Sequence, residues 1–434
     1  MQPNEISSMP QALPLVAAWR RPVARAVAIA LILVAIPLAT PGWKMVPGTS
    51  SAAGEPGWTT GIFGDGIVNR PVLYLCLLYM AIALWIALLS FARDLGLRWI
   101  GWVTGSLIAL FVLAPPLLSL DVYSYISYAR LGADHGLNPY EFAPSALPFT
   151  DDAASRVIDY RDAVSVYGPV FTLGSYPLGL VSVPVALWSL KAIAGLSIAA
   201  LVALVARTAR VRGVDPALAV AFVGLNPLVL VHLVGGAHND GLMVAIAMAA
   251  VAAVVAARPA AGGAGFAIAA AVKISGLLYA PFALLGTREA GGRAGFLLGG
   301  AAAVVLIGVV SLIVFGSHVT EALSVAGGNQ DTISRWSVPG TLSRITGIDV
   351  DLFRAILGAV AIVAIVRLLV ETARGFDWIR AAGWAALAVL VATAYMAPWY
   401  VIWLLPVAAI SRDRALIGAT ILFTVFQAIN TIPV

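Results

Sequence analysis

Residues 264–285 read Ala-Gly-Phe-Ala-Ile-Ala-Ala-Ala-Val-Lys-Ile-Ser-Gly-Leu-Leu-Tyr-Ala-Pro-Phe-Ala-Leu-Leu, an apolar run with a single charge, Lys273. A helical span of a bilayer takes about 20 apolar residues, so the run is long enough to cross once. Positive charge near span ends marks the inner side of a membrane. One full crossing here would put Arg288 and Arg293 outside and invert every later basic loop. A hairpin of two short helices meeting near Lys273 instead puts Arg288, Arg293, Arg367–Arg380, Arg412 and Arg414 all inside, and this is the expected arrangement. Short broken helices survive at membrane depth only where protein or a water-filled cavity satisfies their backbone. Lys273 is therefore expected to line such a cavity.

The remainder of the chain agrees with a membrane reading. Of 434 residues, 61% are apolar and 11% charged, whereas a soluble globular chain carries about 25% charged residues. The expectation is an all-α polytopic membrane protein, with apolar residues for about 11–13 transmembrane helices at roughly 20 residues each. The whole chain, 1–434, reads as one transmembrane domain, with no internal repeat and no soluble domain. The formal charge of +5, from 26 basic and 21 acidic residues, is small and spread along the chain. Nucleic acid is not indicated, and the lipid bilayer is the expected partner. The single cysteine, Cys76, excludes an internal disulfide and a cysteine metal site.

Arg20, Arg21 and Arg25 precede the apolar segment 23–40. That segment lacks a small-residue cleavage pattern, so it is expected to remain as the first span with its N-terminal side inside. Segments 71–91 and 99–119 follow, joined by a short inner loop with Arg93 and Arg98. By parity, residues 120–165 form a first large external loop. Arg207, Arg210 and Arg212 require an odd number of crossings within 166–206. Residues 166–182 are thus expected as a re-entrant or surface helix and 184–206 as the span. Segment 216–234 climbs out and 241–257 returns. After the hairpin, 294–315 leads to a second external loop, 316–349, and spans 351–370, 380–397, 399–410 and 415–432 complete the chain.

Polar groups at membrane depth are costly unless partnered, so they are functional candidates by default. Sorted by side, they gather outside: Asp121, Tyr123, Ser124, Tyr125, Tyr128, Arg130, Asn138, Tyr140, Asp151, Asp152, Asp159, Arg161, Tyr167, His238, Asn239, Asp240, Trp399 and Tyr400. Nucleotide sugars are cytoplasmic, so catalysis there needs a donor already carried across the bilayer. Asp121, just beyond a span, is either a general base within reach of a hydroxyl or a helix N-cap for 122–131. His238-Asn239-Asp240 is either a short loop with Asp240 capping the next helix or, with Asp121 on the same side of the membrane, a divalent-metal site, although no ligand spacing fixes one. Lys273 needs an anion, either a carboxylate or a lipid phosphate. Arg130 could serve the same phosphate or snorkel to headgroups. Trp336, Trp399, Tyr400 and Trp403 read as an aromatic belt or as sugar-stacking surfaces.

Several motifs carry a resemblance. They are Asp121–Tyr125 with Ala129-Arg130, Asn138-Pro139-Tyr140, Tyr167-Gly168-Pro169, and Asn226-Pro227 followed by His232-Leu233-Val234-Gly235-Gly236-Ala237-His238-Asn239-Asp240-Gly241. Ala271-Val272-Lys273 and Ala397-Pro398-Trp399-Tyr400 complete them. Together these resemble the polyprenol-phosphomannose-dependent α-1,6-mannosyltransferases of actinobacteria, which are GT-C glycosyltransferases. The Gly-Gly-Ala-His-Asn-Asp run is the most specific part.

The resemblance implies a polyprenyl-phosphate-mannose donor, an α-mannan lipoglycan acceptor on the outer face of the cytoplasmic membrane, and inversion at the anomeric carbon. It implies Asp121 as catalytic base, because such enzymes carry an essential aspartate in the first large external loop; here that loop follows the third span rather than the first. Lys273 and Arg130 would hold the donor phosphate, and no metal or cofactor is implied. Tyr123, Tyr125, Asn138, Tyr167, His238, Asn239, Asp240, Trp336, Trp399 and Tyr400 would bind sugar or acceptor. The alternatives are an arabinofuranosyl- or glucosyltransferase using another polyprenyl-phosphate sugar and, ranked behind these, a lipid-linked-sugar transporter, for which polar groups on both faces would be expected.

Overall fold

A computed structural model describes residues 14–42, 45–47, 66, 68–157, 160–320 and 332–431. Among them the regular structure is helical, apart from one isolated bridge between Pro41 and Val68. The helices in chain order are α1 Pro14–Ala39, α2 Pro71–Leu89, α3 Ala92–Leu113, α4 Asp121–Ala133, α5 Pro169–Gly179, α6 Val183–Val211, α7 Pro216–Gly224, α8 Asp240–Val255, α9 Pro259–Val272 and α10 Ala280–Gly286. Then come α11 Gly292–Phe315, α12 Val338–Thr346, α13 Val350–Arg374, α14 Trp378–Ala392, α15 Leu405–Ile410 and α16 Arg414–Gln427. A π-helical turn, Val229–Gly235, precedes α8, and 3-10 turns at Ile274–Leu277 and Pro398–Trp403 precede α10 and α15.

Helices dominate because each satisfies its own backbone where no water reaches. Their starts are written locally. Proline, whose missing N–H costs nothing there, stands in the first turn of α2, α5, α6, α7 and α9. Asp215, Asp377 and Asp413 cap α7, α14 and α16 by accepting from backbone N–H groups of the first turn.

The protein is a polytopic membrane protein. Among the described residues six helices are long and apolar enough to cross a bilayer, seven if α7 and the π turn count as one bent span. Six more apolar helical segments are shorter. The anticipated 11–13 crossings thus resolve into a few full spans and many partial ones. The expected span 216–234 is bent by 63°, because Pro227 cannot donate and the Asn226 side chain takes the N–H groups of Leu228 and Val229 instead. Segment 399–410 is a 3-10 turn followed by the short α15, not a straight crossing. Arg93 and Arg98 lie in α3 itself, which is kinked at Gly96 with φ 74°, and not in a loop. The break at Lys273 is present as expected: α9 ends at Val272 and Lys273 is extended, with φ −157° and ψ 133°. The segment 166–182 holds only the short α5, Pro169–Gly179. Of the segments expected outside, Asp159 and residues 321–331 of the second loop lie outside the described residues.

The core centres on α6, α7, the π turn and α8, with α3 and α9 against it. Helices α9 and α11 approach until backbone meets backbone: a Cβ on Gly263 would lie 1.9 Å from the Phe296 carbonyl oxygen, and one on Gly299 2.1 Å from that of Ala260. Close approach at small residues is how helices bind where lipid removes the hydrophobic drive. At the other extreme, only 6% of the apolar window of α11, and of α13, is buried. Many of their Leu, Val and Ile side chains, among them Leu298, Leu306, Ile313, Val360 and Val363, are exposed.

Candidate active site

The break after α3 brings in the first carboxylate. Pro115 and Pro116 end that helix, Leu118 turns the chain with φ 59°, and Asp121 opens α4. Asp121 does not cap the helix: the N-cap position belongs to Leu120 and no side chain fills it. Its Oδ2 instead lies 3.2 Å from Nδ1 of His238, and its side chain is 20% exposed. Burial raises the carboxyl's pKa, but the His238 hydrogen bond and charge, the Lys273 charge and the Ser119 hydroxyl outweigh it. The net direction is downward, so Asp121 is held ionised below the ordinary carboxylate range.

His238 arrives from the opposite side through the π turn and Ala237, another left-handed residue with φ 56°. Its ring stacks on Trp399 with centroids 3.7 Å apart and planes 21° apart. Its Nε2 is buried and has no hydrogen-bond partner among the described residues. Next along the chain, the backbone N–H of Asn239 donates to the Tyr125 hydroxyl at 3.4 Å. Asp240 is buried and, like Asp121, is not a cap. Its oxygens accept from Lys273 Nζ at 2.9 and 2.8 Å and from Trp403 Nε1 at 2.8 Å.

Lys273 reaches Asp240 from the break between α9 and the following 3-10 turn. The Gly168 N–H donates to the Val272 carbonyl at 3.0 Å, docking the Tyr-Gly-Pro start of α5 on that break. Only glycine fits, since a Cβ there would sit 2.2 Å from the Ala271 carbonyl oxygen. The ammonium lies 4.9 Å from the centre of the Tyr400 ring and 5.7 Å from that of Trp403, and these two rings stack on each other at 4.2 Å.

These groups open onto a cavity of about 660 Å³. Asp121, Ser124, Tyr167, Lys273, Trp399 and Tyr400 form its polar end. Gly358, Ala361, Ile362 and Ile365 of α13, with Val389 and Ala392 of α14, form an apolar wall. Tyr160 and Tyr395 also line it, their hydroxyls 3.1 Å apart.

The expected residues divide into three groups. Asp121, Tyr167, Lys273, Trp399 and Tyr400 line the cavity. Tyr125, His238, Asn239 and Asp240 stand behind them as buried supports. Four others are not brought there. Tyr123 is buried with the Arg156 guanidinium 5.7 Å from its ring centre. Arg130 gives its guanidinium to Asp151 at 2.6 Å. Asn138 donates to the Phe315 carbonyl at 2.8 Å. Trp336 lies under Arg344, 3.8 Å away. Trp399, Tyr400 and Trp403 all line the cavity. Among the described residues no group of three or more metal-type ligands gathers. Ser124, Tyr160 and Tyr395 carried no decisive signal in the sequence, and α13 looked like any other span.

A family model described as alpha-(1->6)-mannopyranosyltransferase, N-terminal domain, matches residues 26–288, and one described as MptB C-terminal domain matches residues 337–434. Alpha-(1->6)-mannopyranosyltransferase A of Mycobacterium tuberculosis is 29% identical over 342 residues, which cover 72% of this chain and 65% of that protein. The protein of the same name from Corynebacterium glutamicum is 26% identical over 64% of this chain and 60% of its own length. A probable alpha-(1->6)-mannopyranosyltransferase of Mycolicibacterium smegmatis is 30% identical over 32% of this chain and 25% of its own. The chain thus spans just under two thirds of the length of the first two relatives. No solved structure matches.

Proposed function

The chain belongs to the alpha-(1->6)-mannopyranosyltransferase family, and we propose that it transfers mannose from polyprenyl-phosphate-mannose to a growing α-1,6-mannan of lipoglycan type. The reaction takes place on the outer face of the cytoplasmic membrane, with 120–165 as the catalytic external loop of a single transmembrane domain. One observation carries this reading: a single cavity joins a carboxylate and an ammonium, Asp121 and Lys273, to an apolar wall on a lipid-facing span. A lipid-linked sugar phosphate supplies a complement to each: a sugar, a phosphate and an apolar tail.

In this mechanism the isoprenoid tail lies along α13 and the phosphate meets Lys273. The acceptor hydroxyl gives its proton to Asp121 as its oxygen bonds to the anomeric carbon, while the bond from that carbon to the phosphate oxygen breaks. Attack from the opposite face converts a β-linked donor to an α product, and polyprenyl phosphate leaves. Lys273 stabilises the charge that develops on the departing phosphate. A phosphate leaving group needs no strong acid, so no further proton donor and no cofactor is required. His238 keeps the base ionised, and Trp399 and Tyr400 offer faces for sugar packing. With its guanidinium held by Asp151, Arg130 is left out of phosphate binding.

The test is to incubate purified full-length chain with short α-mannan oligosaccharides and the polyprenyl-phosphate derivatives of mannose, arabinofuranose and glucose, then determine the product linkage. An α-1,6-linked mannose extension is expected. Transfer of arabinofuranose or glucose alone, or no transfer in wild type, overturns the reading.

A further inference from the structure

Lys191 lies in the third turn of α6, a membrane span, and is wholly buried. An isolated cation at such a depth costs several kcal/mol unless polar groups are aimed at it. No carboxylate among the described residues pairs with it. Its Nζ donates to the carbonyls of Gly235 at 2.7 Å and Pro115 at 3.2 Å. These two carbonyls begin the two segments that deliver the site: Pro115 starts the run to Asp121, and Gly235 the run to His238 and Asp240.

Each of those runs contains a non-glycine residue in the left-handed region, Leu118 in one and Ala237 in the other. Such conformations cost of order 1–3 kcal/mol and persist only where the surroundings over-determine them. The direct link between the runs near this point is one backbone bond, Leu117 N–H to the same Gly235 carbonyl at 3.1 Å. The ammonium joins that carbonyl to a second one on the other run and closes the junction.

We propose that Lys191 is a positioning residue for the transfer reaction: its ammonium clamps the Pro115 and Gly235 carbonyls together and so sets the separation of Asp121 from His238. It touches neither substrate nor reacting atoms. A residue acting this way affects the chemical step more than binding, because the cavity wall on α13 and α14 does not rest on the clamp.

The inference rests on the proposed transfer reaction, so the test reads turnover and structure together. Lys191→Met removes the donors at similar volume, whereas Lys191→Arg keeps a charge and a fork able to span two carbonyls. For Lys191→Met, kcat per folded molecule should fall on the order of 100-fold, with donor and acceptor KM within about 3-fold of wild type. Lys191→Arg should recover most of the loss. Hydrogen exchange over 115–121 and 235–240 should quicken in the Met variant and stay slow in the Arg variant.

Unchanged kcat per folded molecule, a loss confined to KM, or equal exchange in the two variants overturns the proposal. If Lys191→Met does not accumulate folded, the comparison is made between Lys191→Arg and Lys191→Gln, and equal kcat in these two overturns it. If none of the three folds, the lysine is a folding element alone and the proposal fails. An inactive wild type rejects the transfer reading, and the exchange result then decides the clamp by itself.

Discussion

Lys273 and Asp240 form a two-pronged ion pair, with the ammonium 2.9 and 2.8 Å from the two carboxylate oxygens. The carboxylate is buried, while the lysine keeps 19% of its side chain exposed toward the cavity. The pair therefore has a closed side and an open one. Lysine carries three donors, and a pair of this kind can hold an anion without breaking.

That geometry predicts a non-additive result. Lys273→Ala leaves Asp240 buried and unpaired and should destabilise the fold by about 3–5 kcal/mol. The double variant Lys273→Ala/Asp240→Asn should recover most of that stability, read as melting temperature, yet remain unresponsive to added donor lipid. A double variant still stabilised by donor would show that the phosphate is held elsewhere.

Asp121→Asn keeps the side chain's shape and removes its basicity. Turnover is expected to fall by roughly 10²–10⁴-fold, the usual cost of losing a general base, in a variant that still folds but melts somewhat below wild type because the charged contact with His238 is lost. Activity within a few fold of wild type would remove Asp121 from the mechanism.

The contact between Asp121 and His238 predicts a pH dependence. A base held below the ordinary carboxyl value of about 3.9 stays ionised as the medium is acidified. The stability it contributes is present above the unfolded pKa and lost only as pH falls through the lowered folded one. His238→Gln removes the ring's share of that lowering. The acid limb of kcat/KM should then move to higher pH, and an unmoved limb would show that His238 does not poise the base.

Gly168→Ala forces a methyl against the Ala271 carbonyl. Overpacking of this kind costs about 1–3 kcal/mol. Because the clash is two residues from Lys273, donor KM should rise along with the loss in melting temperature. A variant that melts early but keeps its donor KM would separate the α5 docking from phosphate binding.

Orientation is tested on a Cys76→Ala background. A cysteine at Phe149, which is 76% exposed in the loop expected outside, should react in intact cells with a thiol reagent that does not cross the membrane. Cysteines at Arg210 and Arg412 should not. Labelling at Arg412 would reverse the threading of the C-terminal half.

The part of this architecture legible in the sequence is the part written in charge. A lone lysine in an apolar run marks the break between α9 and α10. Asp121, His238 and Asp240 were placed on one side of the membrane, although nothing in their spacing says that Asp121 meets His238 while Asp240 meets Lys273. Such pairings depend on how distant helices pack, which single-chain patterning does not encode. The pairing of Arg130 with Asp151 is hidden for the same reason, because the course of the loop that carries Asp151 is tertiary. Lys191 passed unread because one cation inside a long Ala/Leu helix hardly changes the pattern of a span. The 63° bend after α7 was hidden because Asn-Pro dipeptides within membrane helices kink some chains and end others.

The bare outer surface of α13 has a kinetic consequence. One side of this helix lines the cavity and many of its other Leu, Ile and Val side chains are exposed, so under the proposed reaction the bilayer itself is the compartment from which the lipid-linked donor is drawn. Encounters of that kind are confined to two dimensions. The rate should then follow the mole fraction of donor among the surrounding lipids and be insensitive to its bulk molarity. Diluting the membrane with inert phospholipid at constant total donor should slow transfer, whereas diluting the whole suspension with buffer should not.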